Sequence, residues 1–464
     1  MNYLCLRRSS NLVFSCSPHT ATPHLDLPLA ESSVLRVDHY NSFVAGGAAI
    51  AARRVHHGLL DIGVDSHFHF ADAGSTELES VANRESYHRL APAKRNAVTH
   101  QWSRFRQRRR LRAALKNRPA GLEIFSPARN PASKRLWPQV DPSRIAHLHW
   151  IGGGRFDWRD LFAHLADRPL VWTLHDMNAL TGGCHYTNGC DRYSTTCQHC
   201  PQLAAPAAND LASETFAIKL RQQRQGRMHF VAPSRWLWRE AQRSPLTAAA
   251  ARFHYIPYGV DASLFRPGIR AAARHELGLP QDAKIVAFGA DEITNPRKGF
   301  PQLLNSLRRL GSATSGVIGL CFGRGEVPQS RGAPPIRNAG FLGDPTEMAR
   351  LFTACDVFAM SSIEDNLPQT GLEALACGRP VVAFAAGGVK DYVIPHQTGL
   401  LAAIGDEQEL AAQIGWLLER PAAQALWGRQ GRALVREQFS PLLQASRYME
   451  VYQELGEQPV ARAA

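Results

Sequence analysis

Three carboxylates, Glu364, Asp365 and Glu373, share the segment Met360-Ser-Ser-Ile-Glu-Asp-Asn-Leu-Pro-Gln-Thr-Gly-Leu-Glu-Ala-Leu-Ala-Cys-Gly-Arg-Pro-Val-Val382. A carboxylate accepts hydrogen bonds from two neighbouring hydroxyls at once, which is what a ribose or hexose offers. Pro368 opens a helix, and the unpaired amides at a helix start favour a phosphate in front of them. Acids for sugar hydroxyls beside amides for a diphosphate point to a nucleotide-sugar ligand. Glu373 is placed on the helix, whereas the loop acid that meets the sugar is either Glu364 or Asp365.

A second set of residues fits the same ligand. Asn295-Pro296-Arg297-Lys298-Gly299-Phe300 follows an apolar run and opens a helix. Arg297 and Lys298 there can neutralise the charge that grows on a departing diphosphate. His175 ends the run Val171-Trp172-Thr173-Leu174, at the strand edge where open parallel sheets collect ligands. It is read as orienting the reacting hexose, with general base and buried core histidine as the competing roles. Gly46 and Gly47 follow the first strand, and residues this small let backbone amides approach a ligand. No Asp-x-Asp occurs anywhere in the chain, which fits a donor site that needs no divalent metal.

Cys184, Cys190, Cys197 and Cys200 are crowded into a stretch that also holds His185 and His199. The closing Cys-x-x-Cys is a good metal half-site, so a structural Zn²⁺ is the favoured reading. Two disulfides or four packed thiols are its rivals.

These residues need a scaffold, and the hydrophobic pattern supplies one. Short apolar runs alternate with longer mixed segments, the mark of parallel sheets flanked by helices. Strands are expected at Val34–Asp38, Ile145–Ile151, Leu170–Leu174, His229–Pro233, His254–Pro257, Lys284–Phe288, Val317–Phe322, Val357–Met360 and Val381–Phe384. The expected division is a disordered extension over 1–32, a Rossmann-like domain over 33–252, a second over 253–440, and a helical tail over 441–464 that packs back on the first domain.

The chain has 464 residues, 44% of them hydrophobic and 20% charged, with a net charge of +13. No apolar run is long enough to cross a membrane. Between Glu85 and Glu123 lie eleven Lys and Arg and no acid, so the basicity is local to residues 86–122. An anionic membrane surface and a solvated loop are the two readings of this segment, with nucleic acid behind them.

The acids of 364–373, with seven residues between Asp365 and Glu373 and Ala-x-Ala-x-Gly-x-Pro-Val directly after Glu373, resemble the signature of the family 4 (group 1) glycosyltransferases of the GT-B fold. The Cys-rich loop is similar to that of an exopolysaccharide branch. The resemblance runs from about residue 33 to 456. It implies two Rossmann-like domains facing a cleft. It also implies that Lys298 binds the donor diphosphate and His175 contacts the donor sugar. Gly46 and Gly47 would then line the cleft. The family's usual arginine after the strand glycine is absent, because Ala290 follows Gly289, and Arg297 is its candidate substitute. The implied reaction moves a hexose from a nucleoside-diphosphate sugar to a saccharide acceptor with retention, the acceptor being lipid-linked in surface polysaccharide synthesis. The implied location is the cytoplasm or the inner face of the plasma membrane. A nucleotide-sugar epimerase or hydrolase on the same fold, and a zinc-containing nucleic-acid binder, are the alternatives.

Overall fold

The computed structural model describes residues 35–72, 85–92, 97–130, 137–139, 141–223, 228–327 and 331–456, with Ser133 and Arg135. The extension expected over 1–32 lies outside the described residues.

Two parallel sheets form the frame. The first contains β1 (Arg36–Phe43), β2 (Asp65–Asp72), β3 (Tyr87–Arg89), β4 (Ile145–Leu148), β5 (Leu170–Thr173), β6 (Met228–Ala232) and β7 (Arg252–Tyr255), in the order β3-β2-β1-β4-β5-β6-β7. The second contains β8 (Lys284–Glu292), β9 (Val317–Arg324), β10 (Ile336–Asn338), β11 (Val357–Met360), β12 (Val381–Phe384) and β13 (Gly399–Ala402), ordered β10-β9-β8-β11-β12-β13. Helices cover both faces of the central strands, so every residue of β4, β11 and β12 is buried, and all but His147 are apolar.

Each sheet reverses its strand order once, between β1 and β4 and between β8 and β11. Ligands collect beyond the carboxyl ends of strands at such switch points. The chain leaves β1 toward Gly46 and Gly47, β8 toward Arg297 and Lys298, and β11 toward Glu364 and Asp365. At the opposite ends, buried aspartates tie the strands down. Asp38 meets Arg168 at 2.6 Å and Arg144 at 2.8 Å, and Asp356 meets Arg274 at 3.0 Å.

Four strands were not expected from the sequence, and β1 runs over Arg36–Phe43 where Val34–Asp38 was expected. β2 reads Asp-Ser-His-Phe-His-Phe-Ala-Asp, and its histidines hide the apolar signal although His69 is buried against Asp38 at 3.5 Å. β3 and β10 are three-residue edge strands, and β13 is a brief Gly-Leu-Leu-Ala run. β7 pairs with β6, so residues to Tyr255 belong to the first sheet, slightly past the boundary expected at 252/253. The helix Pro441–Gly456 lies against the helix Gly47–Asp61 and the first sheet. Its Tyr448 and Tyr452 hydroxyls meet Thr173 Oγ1 at 2.8 Å and His147 Nδ1 at 2.7 Å.

Candidate active site

The turn after β8 is built by Asn295, whose side chain accepts from the Arg297 amide at 3.0 Å. Gly299 then takes a left-handed φ of 65°, and a Cβ there would stand 1.9 Å from the Ser361 carbonyl oxygen. Only glycine lets the turn press so closely on the loop after β11. That approach sets Lys298 Nζ 2.7 Å from Asp365 Oδ2 and Arg297 Nη1 3.1 Å from Asp365 Oδ1. Arg297 also reaches Glu123 at 2.7 Å and the Glu364 carbonyl at 2.8 Å. Burial works against the Asp365 carboxylate, but Lys298 and Arg297 overcome it and hold its pKa at about 2.

The two loop acids therefore differ in kind. Asp365 is buried and locked between cations. Glu364 is half-buried and points to the first domain, accepting from the Asn188 amide at 3.0 Å and the Thr187 amide at 3.3 Å. Glu373 faces neither of these cations. Its Oε1 accepts from Arg54 Nη2 at 2.8 Å, while Arg54 Nη1 donates to Gln369 at 2.6 Å. Gln369 in turn donates to the Gly47 carbonyl at 3.0 Å. Gly46, with φ 85°, caps the helix Gly47–Asp61. A Cβ on either glycine would meet no atom within 4 Å, so this turn faces open space.

His175 stands two residues beyond β5. Asn366, next to Asp365, donates to the Leu174 and His175 carbonyls at 3.1 and 3.0 Å, joining the loop after β11 to the end of β5. The His175 ring meets Tyr258 OH at 2.8 Å through Nδ1 and His149 Nδ1 at 3.0 Å through Nε2. From there the contacts run on through His149 Nε2 to His39 Nδ1 at 2.9 Å, His39 Nε2 to Ser66 at 3.1 Å, and Ser66 to His56 at 2.7 Å. Each neutral imidazole has one donor and one acceptor, so these bonds are satisfied together when all run in one direction along the chain. His147 and His149 are buried polar residues with partners, and His149 also borders the small cavity beside His175.

Burial lowers the pKa of His175 to about 4 against a weaker opposing pull from Asp176. It also drives His39, His147 and His149 well down. Below the ordinary value of 6.5 the unfolded chain binds protons that the folded chain refuses, so stability there rises with pH. Folding free energy is expected to be fully present above about pH 6.5 and to fall steadily toward pH 4. Urea unfolding across that range should show an uptake of several protons on unfolding, and a flat profile would contradict the neutral histidine chain.

Sequence reasoning missed Arg54, Asn366 and Glu123, which act only through partners far along the chain. It also missed the pair Asp176–His185. His185 Nδ1 is 2.6 Å from Asp176 Oδ2, which also accepts from Trp150 Nε1 at 2.5 Å. Trp150, Gly152, His175 and Asp176 border one small cavity. His185 Nε2 is bonded to Ser126 at 2.7 Å, so this ring is engaged away from the cysteines. Cys184, Cys190, Cys197 and Cys200 are all unbridged and border one cavity of their own.

Residues 282–420 match the model of the glycosyl transferases group 1 family. The chain is 33% identical over 190 residues to a D-inositol 3-phosphate glycosyltransferase of Segniliparus rotundus, covering 38% of this chain and 42% of that one. It is 30% identical over 216 residues to a GDP-mannose-dependent phosphatidylinositol monomannoside mannosyltransferase of Corynebacterium glutamicum, covering 43% and 56%. The chain thus spans about half the length of these curated relatives. Among solved structures, sucrose-phosphate synthase from Thermosynechococcus elongatus superposes with a TM-score of 0.62 at 18% identity, over 91% of this chain and 99% of that one. Anabaena HepE in complex with UDP-glucose superposes with a TM-score of 0.61 at 16% identity, over 90% and 100%. The sheets, their switch points and these likenesses agree: the chain has the GT-B fold, and its residues 282–420 are a group 1 glycosyltransferase domain.

Proposed function

We propose that this protein is a glycosyltransferase that moves a hexose from a nucleoside-diphosphate sugar to a saccharide acceptor, with retention of configuration. The observation that carries the reading is the convergence of Lys298, Arg297, Glu364 and the Asn366–His175 contact at facing sheet edges. The leaving diphosphate gains negative charge as the glycosidic bond breaks, and Lys298 with Arg297 is placed to offset it. The open amide turn at Gly46 and Gly47 offers a second place for phosphate oxygens. Asp365 holds the two cations in place, so Glu364, whose carboxylate is held by Thr187 and Asn188, is the loop acid assigned to the sugar. Glu373 is assigned to donor hydroxyls, with Arg54 orienting its carboxylate. His175, kept neutral by burial, is assigned to orienting the hexose. No metal is assigned to the transfer step.

The relatives include an enzyme named for a phosphatidylinositol mannoside, which supports a lipid-linked acceptor here. The helix Ala97–Leu115 adds support, since it exposes Trp102 (64%) and Phe105 (60%) beside Arg106, Arg108 and Arg109. Aromatic side chains among cations suit the surface of an anionic membrane. Among the described residues no helix is long and apolar enough to cross one.

Thermal-shift screening of UDP-, GDP- and ADP-sugars tests the donor class, because a bound ligand raises apparent stability. Product analysis with and without an acceptor then separates transfer from hydrolysis or epimerisation. Glu373→Gln keeps the side-chain volume and removes the charge, so donor affinity should fall by about 10- to 100-fold. Unchanged donor affinity in that variant would remove Glu373 from the site.

A further inference from the structure

The loop between β5 and the helix Leu211–Gln223 has two short 3-10 turns, Asn178–Leu180 and Arg192–Ser194, as its regular structure. Its four cysteines face one shared cavity, and Cys184, Cys197 and Cys200 are buried. Lys219 and Arg118 stand near that cavity, as does Asp210, which accepts from the Cys200 amide at 2.8 Å. Lys219 has no exposed surface, and its ammonium lies 4.6 Å from the centre of the Trp158 ring. Its hydrogen bonds go to neutral acceptors, the backbone and side-chain oxygens of Asn178. The groups of opposite potential charge that face it are Cys184, Cys197 and Asp176, and Asp176 is already bonded to His185, Trp150 and Asn178. Arg118 faces Cys184 and Cys200 from over the Phe125 ring. It too donates to neutral oxygens, the Gln202 and Glu123 carbonyls at 2.8 and 3.0 Å and Gln202 Oε1 at 3.4 Å. The Gly182 amide donates to Cys197 Sγ at 3.1 Å, an arrangement suited to a thiolate.

A buried ammonium without an anion is costly by several kcal/mol. With four neutral thiols Asp176 is the one anion named as facing Lys219, whereas thiolates around a divalent ion would add negative charge on the side of Cys184 and Cys197. We infer that Cys184, Cys190, Cys197 and Cys200 bind one soft divalent cation, Zn²⁺ by its ligand set, as a tetrathiolate whose net negative charge is balanced by Lys219 and Arg118. Binding forms four sulfur–metal bonds and releases the thiol protons to solvent. Among the described residues, the groups whose ligand atoms all lie within 4.8 Å of one another are His39–His147–His149 and His229–His254–Glu454. Closing the cysteine set therefore requires its side chains to rotate inward across the cavity they border. The first histidine set is already saturated, both ring nitrogens of His147 being bonded to Thr173 and Tyr452. Thr187 and Asn188, which hold Glu364, lie between Cys184 and Cys190. The ion would fix the loop segment that reaches across to the second domain.

Metal content is read without any substrate, so the test stands apart from the transferase reading. The full-length protein, purified reduced from zinc-supplemented cells, should carry one zinc per chain by elemental analysis. Cobalt exchange should give the absorption of a tetrahedral thiolate site. Cys190→Ser, at the most exposed of the four, should lower the zinc content well below one per chain. Lys219→Met should speed release of the metal to a chelator by about tenfold. Protein without zinc overturns the inference, whether its thiols are counted free or found paired as disulfides. So does zinc that survives Cys190→Ser and Cys200→Ser unchanged, or release that Lys219→Met leaves unaltered. If the cysteine variants fail to fold, the wild-type zinc count and cobalt spectrum still decide the matter.

Discussion

Lys298→Met should reduce turnover by about 10²- to 10³-fold while the protein remains folded, as for loss of a single group that stabilises developing charge. The side chain is one of two cations on Asp365, and Arg297 at 3.1 Å remains when Lys298 is gone. The carboxylate also keeps the Ser362 hydroxyl at 3.1 Å. Its burial is therefore still compensated, and the unfolding midpoint should move little. The loss falls on the reaction because an ammonium that can swing from Asp365 to a phosphate oxygen is no longer there. Lys298→Arg should recover only part of the rate, since a planar fork cannot replace a compact point charge in the same space. Steady-state rates alongside thermal unfolding check both halves of this expectation. A variant that turns over at nearly the wild-type rate would take Lys298 out of the chemistry.

Asp365→Ala should have the opposite character and destabilise the fold by about 3–5 kcal/mol, the cost of stranding a partner of a buried ion pair. Lys298 and Arg297 both lose their shared carboxylate, and Arg297 retains Glu123 at 2.7 Å. Asp365→Asn should fall between the two, keeping hydrogen bonds but no charge. The pH dependence follows from the depressed pKa of about 2 against an ordinary value of 3.8. The stabilisation is complete above about pH 4 and disappears as the pH falls through about 2. Chemical denaturation of the wild type and variant at neutral pH measures the difference directly. Equal stabilities would mean that the cations find other partners at no cost.

The parts of the site that were legible in the sequence are those where chemistry and scaffold lie close together in the chain. Val357–Met360 and Val381–Phe384 bracket the acids, and both are strands with those bounds. The pairing of Arg297 and Lys298 with the loop after β11 follows once β8 and β11 are neighbours. Arg54–Glu373 and Asn366–His175 were not legible, because they join residues 319 and 191 positions apart whose meeting depends on how the two sheets face each other. The ambiguity between Glu364 and Asp365 had a similar source. Adjacent residues in a loop point to different sides, and only the backbone shows which one turns to Lys298. The histidine chain was half visible. His147 and His149 share a strand face, but their partner His39 arrives through the register that sets it opposite His147.

The helix Pro441–Gly456 supplies Tyr448 and Tyr452 to Thr173 and His147 inside the first sheet. During synthesis, then, the earlier half of the molecule emerges with two buried polar groups still lacking their mates. It cannot reach its final packing until about two hundred further residues have been made, from Tyr255 at the end of β7 to Gly456, and the later half is free to settle first. Assembly order would thus run against the direction of translation.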